Sequence, residues 1–591
     1  MSRGGRLLSS PSLHWSVLGV LLAFLLVGAA TFDRSAWPSV VGDEATYLMQ
    51  AESLAWDGDL VYSRADFDRF VAHWGERPEG LILQKGESSD RLAYGKPFFY
   101  ALWSAPFTRV SPTRGPFVGN VVLLAFAAIG AALALRRTVG PAAPTWAALF
   151  VFASVAFAYA FWAHLDLFLM CLAALGLALV FGGAPEASDP PRARAALRWL
   201  GAGALLAAVA YSRPFYLSLF LPAVLAILSG RSRRSARAAL LLAGGALLLC
   251  LATLAVQETL AGSWTSYGAQ RRSFYTATGY PEVDFPVATW DEMIARFGNA
   301  AWLKQHDIAG INPGTPRLWA WNLLYLAAGQ SVGIVPYLLP GLLGLLTWWG
   351  RPPGAARWTL LVAVAAAAFG FFVLRPHNFY GGGASLGNRY LLPVYPALWF
   401  LPTRPLKPAW LLVTAAVAAP FLWPLWTAPR AFPLDPQGAF RYVSRAAWDL
   451  LPYETTQNHL KPGGAQPDVE HHGLWLKPLT PSVRVGTGVG PLHLETGLGP
   501  GELLVGADHA LERLDLVIET GAPEVRIGGA RVIGEDDRGA GRRRLRLELE
   551  RPRARHPMWW TPEDFYLYWL RVEPAGGDAE ATAAFSLRPG A

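Results

Sequence analysis

Charge and cysteine are what this sequence has least of. Only 16% of its 591 residues are Asp, Glu, Lys or Arg, against roughly 25% in an average soluble domain. Such scarcity belongs with a polytopic membrane protein. Two cysteines occur, Cys171 and Cys250, both inside apolar runs. They read as small core residues, which excludes a disulfide framework and a cysteine-bound metal. The net charge is +8, yet no stripe of Lys and Arg with interleaved aromatics accompanies it, so no nucleic-acid partner is expected. No internal repeat is visible, which argues against the repeated halves of many transporters.

What is abundant is apolar surface. Hydrophobic residues make up 53% of the chain, with 25 Trp and 30 Phe. Long apolar runs recur through the first 430 residues, the pattern of a polytopic membrane protein. We expect about eleven transmembrane helices, at 15–32, 117–135, 143–161, 166–182, 198–212, 214–229, 238–258, 331–349, 358–374, 389–402 and 409–427. The run from Trp15 to Ala30 follows Arg3 and Arg6 and reads as a retained first span rather than a cleaved signal peptide.

A cytoplasmic N-terminus puts Arg136-Arg137, Arg192, Arg194 and Arg198 in inside loops. Arg231, Arg233, Arg234 and Arg237 follow, then Arg351 and Arg357, then Arg404 and Lys407. Short basic loops on one side are what orient such proteins. The agreement requires that Pro97–Ser111 not cross. That stretch is short and proline-broken, hence interfacial or re-entrant.

Three domains are expected: a membrane domain at 1–430, a linker at 431–475 and an extracytoplasmic β-rich domain at 476–591. The last contains short alternating segments, such as Arg544-Leu-Arg-Leu-Glu-Leu-Glu, separated by Gly-rich turns. That spacing suggests a β-sandwich. No catalytic motif appears in it.

Polar residues worth singling out fall in the outer loops. Asp43-Glu44 open an amphipathic helix carrying Tyr47, Leu48, Ala51, Leu54 and Ala55 at helical spacing. Lys96 precedes Pro97 at the start of the short aromatic helix. His164 and Asp166 stand at the entry to an otherwise apolar span, an expensive place for a carboxylate. Arg213 sits in a tight outer turn, where the exemption for long loops does not apply. The loop at 259–330 carries Arg271 and Arg272 among aromatics and reads as a lid or a substrate-facing platform at the interface. The loop from Arg375 holds His377, Tyr380, three glycines, Asn388 and Arg389. Exposed backbone N–H groups beside an arginine make an anion site.

These positions come from separate stretches, and the topology puts them on one face of the membrane. Carboxylates can deprotonate an acceptor hydroxyl, and cations can stabilise a phosphate leaving group. Here the chain resembles the C class of membrane glycosyltransferases, which includes protein O-mannosyltransferases and lipid A aminoarabinose transferases. The resemblance covers 1–430 and rests on Gly42-Asp43-Glu44-Ala-Thr-Tyr47 after the first span, on Lys96-Pro97 and on Leu165-Asp166. Where the aminoarabinose enzymes have Lys-Pro-Pro, Phe98 follows Pro97.

The resemblance implies sugar transfer from a polyprenyl-phosphate donor to a glycan, lipid or protein acceptor, with inversion. By that analogy Asp43, with Glu44 beside it, supplies the base, and Asp166 supports the acceptor or a metal. Lys96, Arg213 and Arg389, with His377, Tyr380 and Asn388, hold the donor phosphate. Some members of the class use a divalent cation, so Mg, Mn or Ca on Asp43, His164 and Asp166 is an open alternative. Two other functions remain open: a transporter or flippase for a glycolipid, and a non-catalytic glycan-binding membrane protein.

Overall fold

The computed structural model describes residues 10–37, 40–85, 91–182, 192–228, 233–261, 264, 266, 270–290, 292, 315–349, 353–376, 378–381, 386–431, 442–452, 454, 475–478, 483–485, 492–495, 501–507, 510–519, 524–537, 542–550, 552, 554–557, 564–575 and 582–589. The first half is built on helices α1 (Pro11–Ala30), α2 (Asp43–Trp56), α3 (Arg64–Trp74), α4 (Phe99–Val110), α5 (Gly115–Val139), α6 (Ala143–Phe152) and α7 (Leu165–Phe181). It continues with α8 (Arg192–Ser212), α9 (Phe220–Leu228), α10 (Arg233–Ala261), α11 (Thr315–Ala328), α12 (Ala355–Leu374) and α13 (Pro408–Thr427).

Among the described residues, six helical stretches are long and apolar enough to cross a membrane: α1, α5 running on into α6, and most of α8, α10, α12 and α13. They mark an integral membrane protein. α7 is apolar but only 17 residues long. α4 has 12 residues and an internal Pro106. At about 1.5 Å per residue it falls well short of a bilayer's roughly 30 Å. It packs instead between α2 and α5.

Three expected spans are not continuous helices. In 143–161, α6 stops at Phe152, and Ser154 takes an extended backbone. The Ser154 hydroxyl donates to the Phe150 carbonyl and accepts from the Ala156 N–H, starting a 3-10 turn at Val155–Phe161. The hydroxyl thus offers the backbone a rival to the helical ladder. In 331–349, helix survives only as Ile334–Tyr337 and Pro340–Leu343, followed by a 3-10 turn. In 389–402 it survives as Leu392–Val394 and Tyr395–Trp399. Pro336, Pro340, Pro393 and Pro396 each remove a ladder N–H.

Such backbone is tolerated at membrane depth where protein surrounds it. That is the case here: Phe150 stacks on Tyr395 at 4.2 Å and on Trp399 at 4.7 Å. The indole of Trp146 donates to the Trp399 carbonyl at 3.1 Å.

Two long loops are zipped together at one end of the bundle. β1 (Leu81–Lys85) pairs antiparallel with β2 (Leu92–Tyr94) and with β3 (Gln270–Phe274), in the order β2-β1-β3. Tyr62 donates to the Pro281 carbonyl at 3.1 Å, and Arg77 pairs with Asp284 at 3.1 Å. The described part of the stretch at 259–330 thus includes the third strand of a sheet, and α11 lies further along it. Residues 293–314 lie outside the described set.

The C-terminal strands run from Trp475 to Pro589 in two antiparallel sheets. Leu503, Val505, Leu570 and Val572 of one sheet share an apolar cluster with Leu514, Leu516, Leu545 and Leu547 of the other. A strap at 442–454 leads from the membrane domain toward them. Glu454, fully buried, accepts the N–H groups of Ser331 and Val332 at 2.6 and 3.0 Å.

Candidate active site

The site begins at a glycine. Gly42 has φ +65°, a conformation that L side chains rarely adopt. Its N–H donates to the Glu79 carbonyl at 2.6 Å, so the chain turns sharply and α2 starts at Asp43. The Thr46 hydroxyl donates to the Gly42 carbonyl and accepts the Ile82 N–H at 2.9 Å, fixing α2 against β1. Lys96 is set on the other side of that contact, because the preceding Gly95 N–H donates to the Ile82 carbonyl at 2.9 Å.

From these anchors a line of alternating charges follows. Lys96 Nζ lies 2.6 Å from Asp43 Oδ1. The other Asp43 oxygen, Oδ2, lies 3.1 Å from His164 Nε2. His164 Nδ1 lies 3.0 Å from Asp166 Oδ2. Arg213 Nη1 bonds Asp166 Oδ1, and Arg389 Nε lies 3.4 Å from Asp166 Oδ2. His164 caps α7, with Trp162 stacked on its ring at 4.3 Å. Tyr390 lies under both guanidinium groups, 4.5 Å from Arg213 and 5.6 Å from Arg389. The structure thus brings together Asp43, Lys96, His164, Asp166, Arg213 and Arg389.

Burial sets the electrostatics. Asp166 is wholly inaccessible, whereas Asp43 keeps a quarter of its side chain open. Burial pushes the Asp43 carboxyl up, but Lys96, His164 and Arg389 together hold it well below the usual carboxylate range. Burial is also the largest influence on Lys96, opposed by Asp43 and reinforced by the nearby Arg271, and its ammonium is pushed down to about 8. Among the described residues, three cations of the cluster, Lys96, Arg213 and Arg389, meet two carboxylates, Asp43 and Asp166, which gives the cluster a positive balance. An anion would complete it.

Several expected site residues are placed elsewhere. Glu44 turns away from the cluster, since adjacent helical residues point about 100° apart. Its carboxylate is held by Arg34, with Nη2–Oε2 2.8 Å and Nε–Oε1 3.3 Å, and both side chains are buried. Breaking such a pair leaves a buried charge unmatched. Glu44→Ala is therefore expected to lower stability by roughly 3 kcal/mol, read as thermal unfolding in detergent. An unchanged melting temperature would contradict this.

Asn388 is spent on a cap, its Oδ1 accepting the Leu391 N–H at 3.0 Å. Tyr380 is buried edge-on against Phe379 and gives its carbonyl to the Arg389 N–H at 3.1 Å. Both shape the loop that carries Arg389. Of the three glycines only Gly381 is described; its φ is +103°, and a Cβ there would sit 2.5 Å from Arg389 Cγ. His377 lies outside the described residues.

Both nitrogens of His164 face carboxylates, and Lys96, Arg213 and Arg389 are already bound to those carboxylates. Among the described residues no group of three or more His, Cys, Asp and Glu is arranged to hold a metal ion.

Sequence reading missed Arg34 and the position of Arg271. Arg271 reaches the site through β3, whose pairing with β1 joins stretches far apart in the sequence. No local pattern signals a contact of that range. A Cβ on Gly95 would lie 3.1 Å from Arg271 Cγ, one residue before Lys96.

No family model and no curated protein matches this sequence. Among the solved structures that resemble it are the following two. ArnT from Cupriavidus metallidurans, crystallised with undecaprenyl phosphate, shares 17% identity over 72% of this chain and 69% of its own, with a TM-score of 0.34. The Archaeoglobus fulgidus oligosaccharyltransferase, in its apo form, shares 12% over 72% of this chain and 57% of its own, with a TM-score of 0.37. Likeness at this level assigns no chemistry, which has to be argued from the charged cluster itself.

Proposed function

We propose that this protein is an integral-membrane glycosyltransferase that moves a sugar from a polyprenyl-phosphate donor to an acceptor hydroxyl, with inversion. The observation that carries the reading is the Lys96–Asp43 contact of 2.6 Å at a partly open carboxylate, backed by a cation-rich cluster. Apolar helices next to that cluster suit the lipid chain, and the cations suit its phosphate.

The chemistry runs as follows. Asp43 takes the proton of the acceptor hydroxyl as its oxygen attacks the anomeric carbon. The bond from that carbon to the phosphate oxygen breaks, and polyprenyl phosphate leaves with the electron pair. Lys96, Arg271, Arg213 and Arg389 balance the growing negative charge. His164 orients Asp43, while Asp166 holds His164, Arg213 and Arg389 in place. Glu44 has a positioning role, through Arg34, and does not touch substrate.

Before donor arrives, Asp43 is a weak base, because Lys96 lies on it. A phosphate competing for the three ammonium protons loosens that hold and makes the carboxylate more basic. Donor therefore binds before acceptor.

The charge on Lys96 gives a pH signature. Its ammonium is pushed down to about 8, so the charged form is lost as pH rises through that value. The kcat/KM for donor, which reports the free enzyme, is expected to fall about tenfold per pH unit above it. Lys96→Arg stays charged and is expected to move this alkaline limb out of the measurable range. A pH–rate profile identical in the two proteins would remove Lys96 from the donor site.

A further inference from the structure

Gln84, in the middle of β1, is completely buried, and neither Nε2 nor Oε1 has a hydrogen-bond partner. A buried primary amide in that state is unfavourable, and native structures rarely leave one so. Such an amide is available to a ligand's hydrogen bonds.

Its position says where such a ligand would lie. Gln84 stands in register with Ala93 on one side and with Arg271 on the other. Paired residues share a sheet face, so Gln84 and Arg271 project together. This is the face on which Arg271 reaches Gly95, next to Lys96. A second glutamine approaches from α2: Gln50 is also buried, and its Nε2 donates to the Lys96 carbonyl at 3.2 Å. Its Oε1 has no partner.

The chemistry of these groups selects the ligand. A phosphate oxygen only accepts, so a phosphate would satisfy Gln84 Nε2 and leave both Oε1 atoms unmatched. A hydroxyl both donates and accepts. We propose that Gln84, with Gln50, hydrogen-bonds the hydroxyls of the donor sugar, beside the cations that take its phosphate. This rests on the glycosyltransferase reading and adds to it a residue that determines sugar specificity.

The test compares two probes on the full-length protein in detergent. One is undecaprenyl phosphate; the other is a set of undecaprenyl-phosphate hexoses and aminopentoses. The wild type is expected to bind at least one sugar-bearing lipid more tightly than bare undecaprenyl phosphate. Gln84→Leu should lose about tenfold of that preference, with bare-lipid affinity unchanged. Unchanged bare-lipid affinity also shows that the variant folds; Gln84→Met serves if Leu does not. Gln50→Leu should lose a smaller part. If the preference survives in Gln84→Leu, the amide is satisfied by water and this inference falls, while the enzyme reading stands. If the wild type shows no preference for a sugar-bearing lipid, this inference falls as well. If the wild type binds no polyprenyl phosphate at all, the enzyme reading falls first and this one with it.

Discussion

Asp43→Asn should reduce transfer by about 10²–10⁴-fold, and polyprenyl-phosphate binding should survive or tighten. The amide keeps the size of the carboxylate, so Gly42, α2 and the contact with β1 remain undisturbed. It cannot take a proton from the acceptor. It also no longer neutralises Lys96, which sits 2.6 Å away. The ammonium is then free for the donor phosphate. Loss of turnover with retained or improved donor affinity separates a missing base from a broken fold. A variant as active as wild type would show that the base lies elsewhere. Loss of donor binding together with turnover would mean that Asp43 organises the phosphate site rather than the proton transfer.

The second large effect is on stability. Asp166 has no accessible side-chain surface, yet it meets Arg213, Arg389 and His164. Asp166→Ala strips both guanidinium groups of their shared counter-ion inside a low-dielectric site. Breaking a buried ionic network in this way costs about 3–5 kcal/mol, a large fraction of the stability of most folds. Asp166→Asn should lie between, because an amide oxygen still accepts hydrogen bonds but carries no charge. Thermal unfolding in detergent, followed with and without donor lipid, measures both. The tyrosine ring beneath the two arginines limits how far they can part. If Asp166→Ala melts like the wild type, the arginines have another counter-ion and the cluster described here is wrong.

How far the sequence discloses this arrangement depends on the range of each contact. The gathering of Asp43, Lys96, His164, Asp166, Arg213 and Arg389 was readable because loop charges constrain which segments share a side of the membrane. Their individual partners were not. Asp43 and Glu44 are neighbours in sequence, but a helix sends them in different directions, and nothing local marks Arg34 as the partner of Glu44. Asn388 looked like an anion ligand because its cap is seen only once the turn at Leu391 is known.

The helical segments divide in the same way. Apolar length is visible for α1, α5 and α10, where periodic packing and bilayer thickness agree. At 331–349 and 389–402 the apolar composition was correct and the continuity was not. Prolines break the ladder there, and at 389–402 burial against Phe150 and Trp146 excuses the break. Arg271 is the clearest case of missing range, since only the pairing of β1 with β3 puts it beside Lys96.

Purified wild-type protein, given radiolabelled polyprenyl-phosphate sugars one at a time with an extract of envelope acceptors, tests the central claim most directly. One labelled product of inverted anomeric configuration is expected, with released polyprenyl phosphate in equal amount, and neither with Asp43→Asn. Movement of labelled lipid across sealed vesicles with no glycosylated product, from any donor, would contradict that claim.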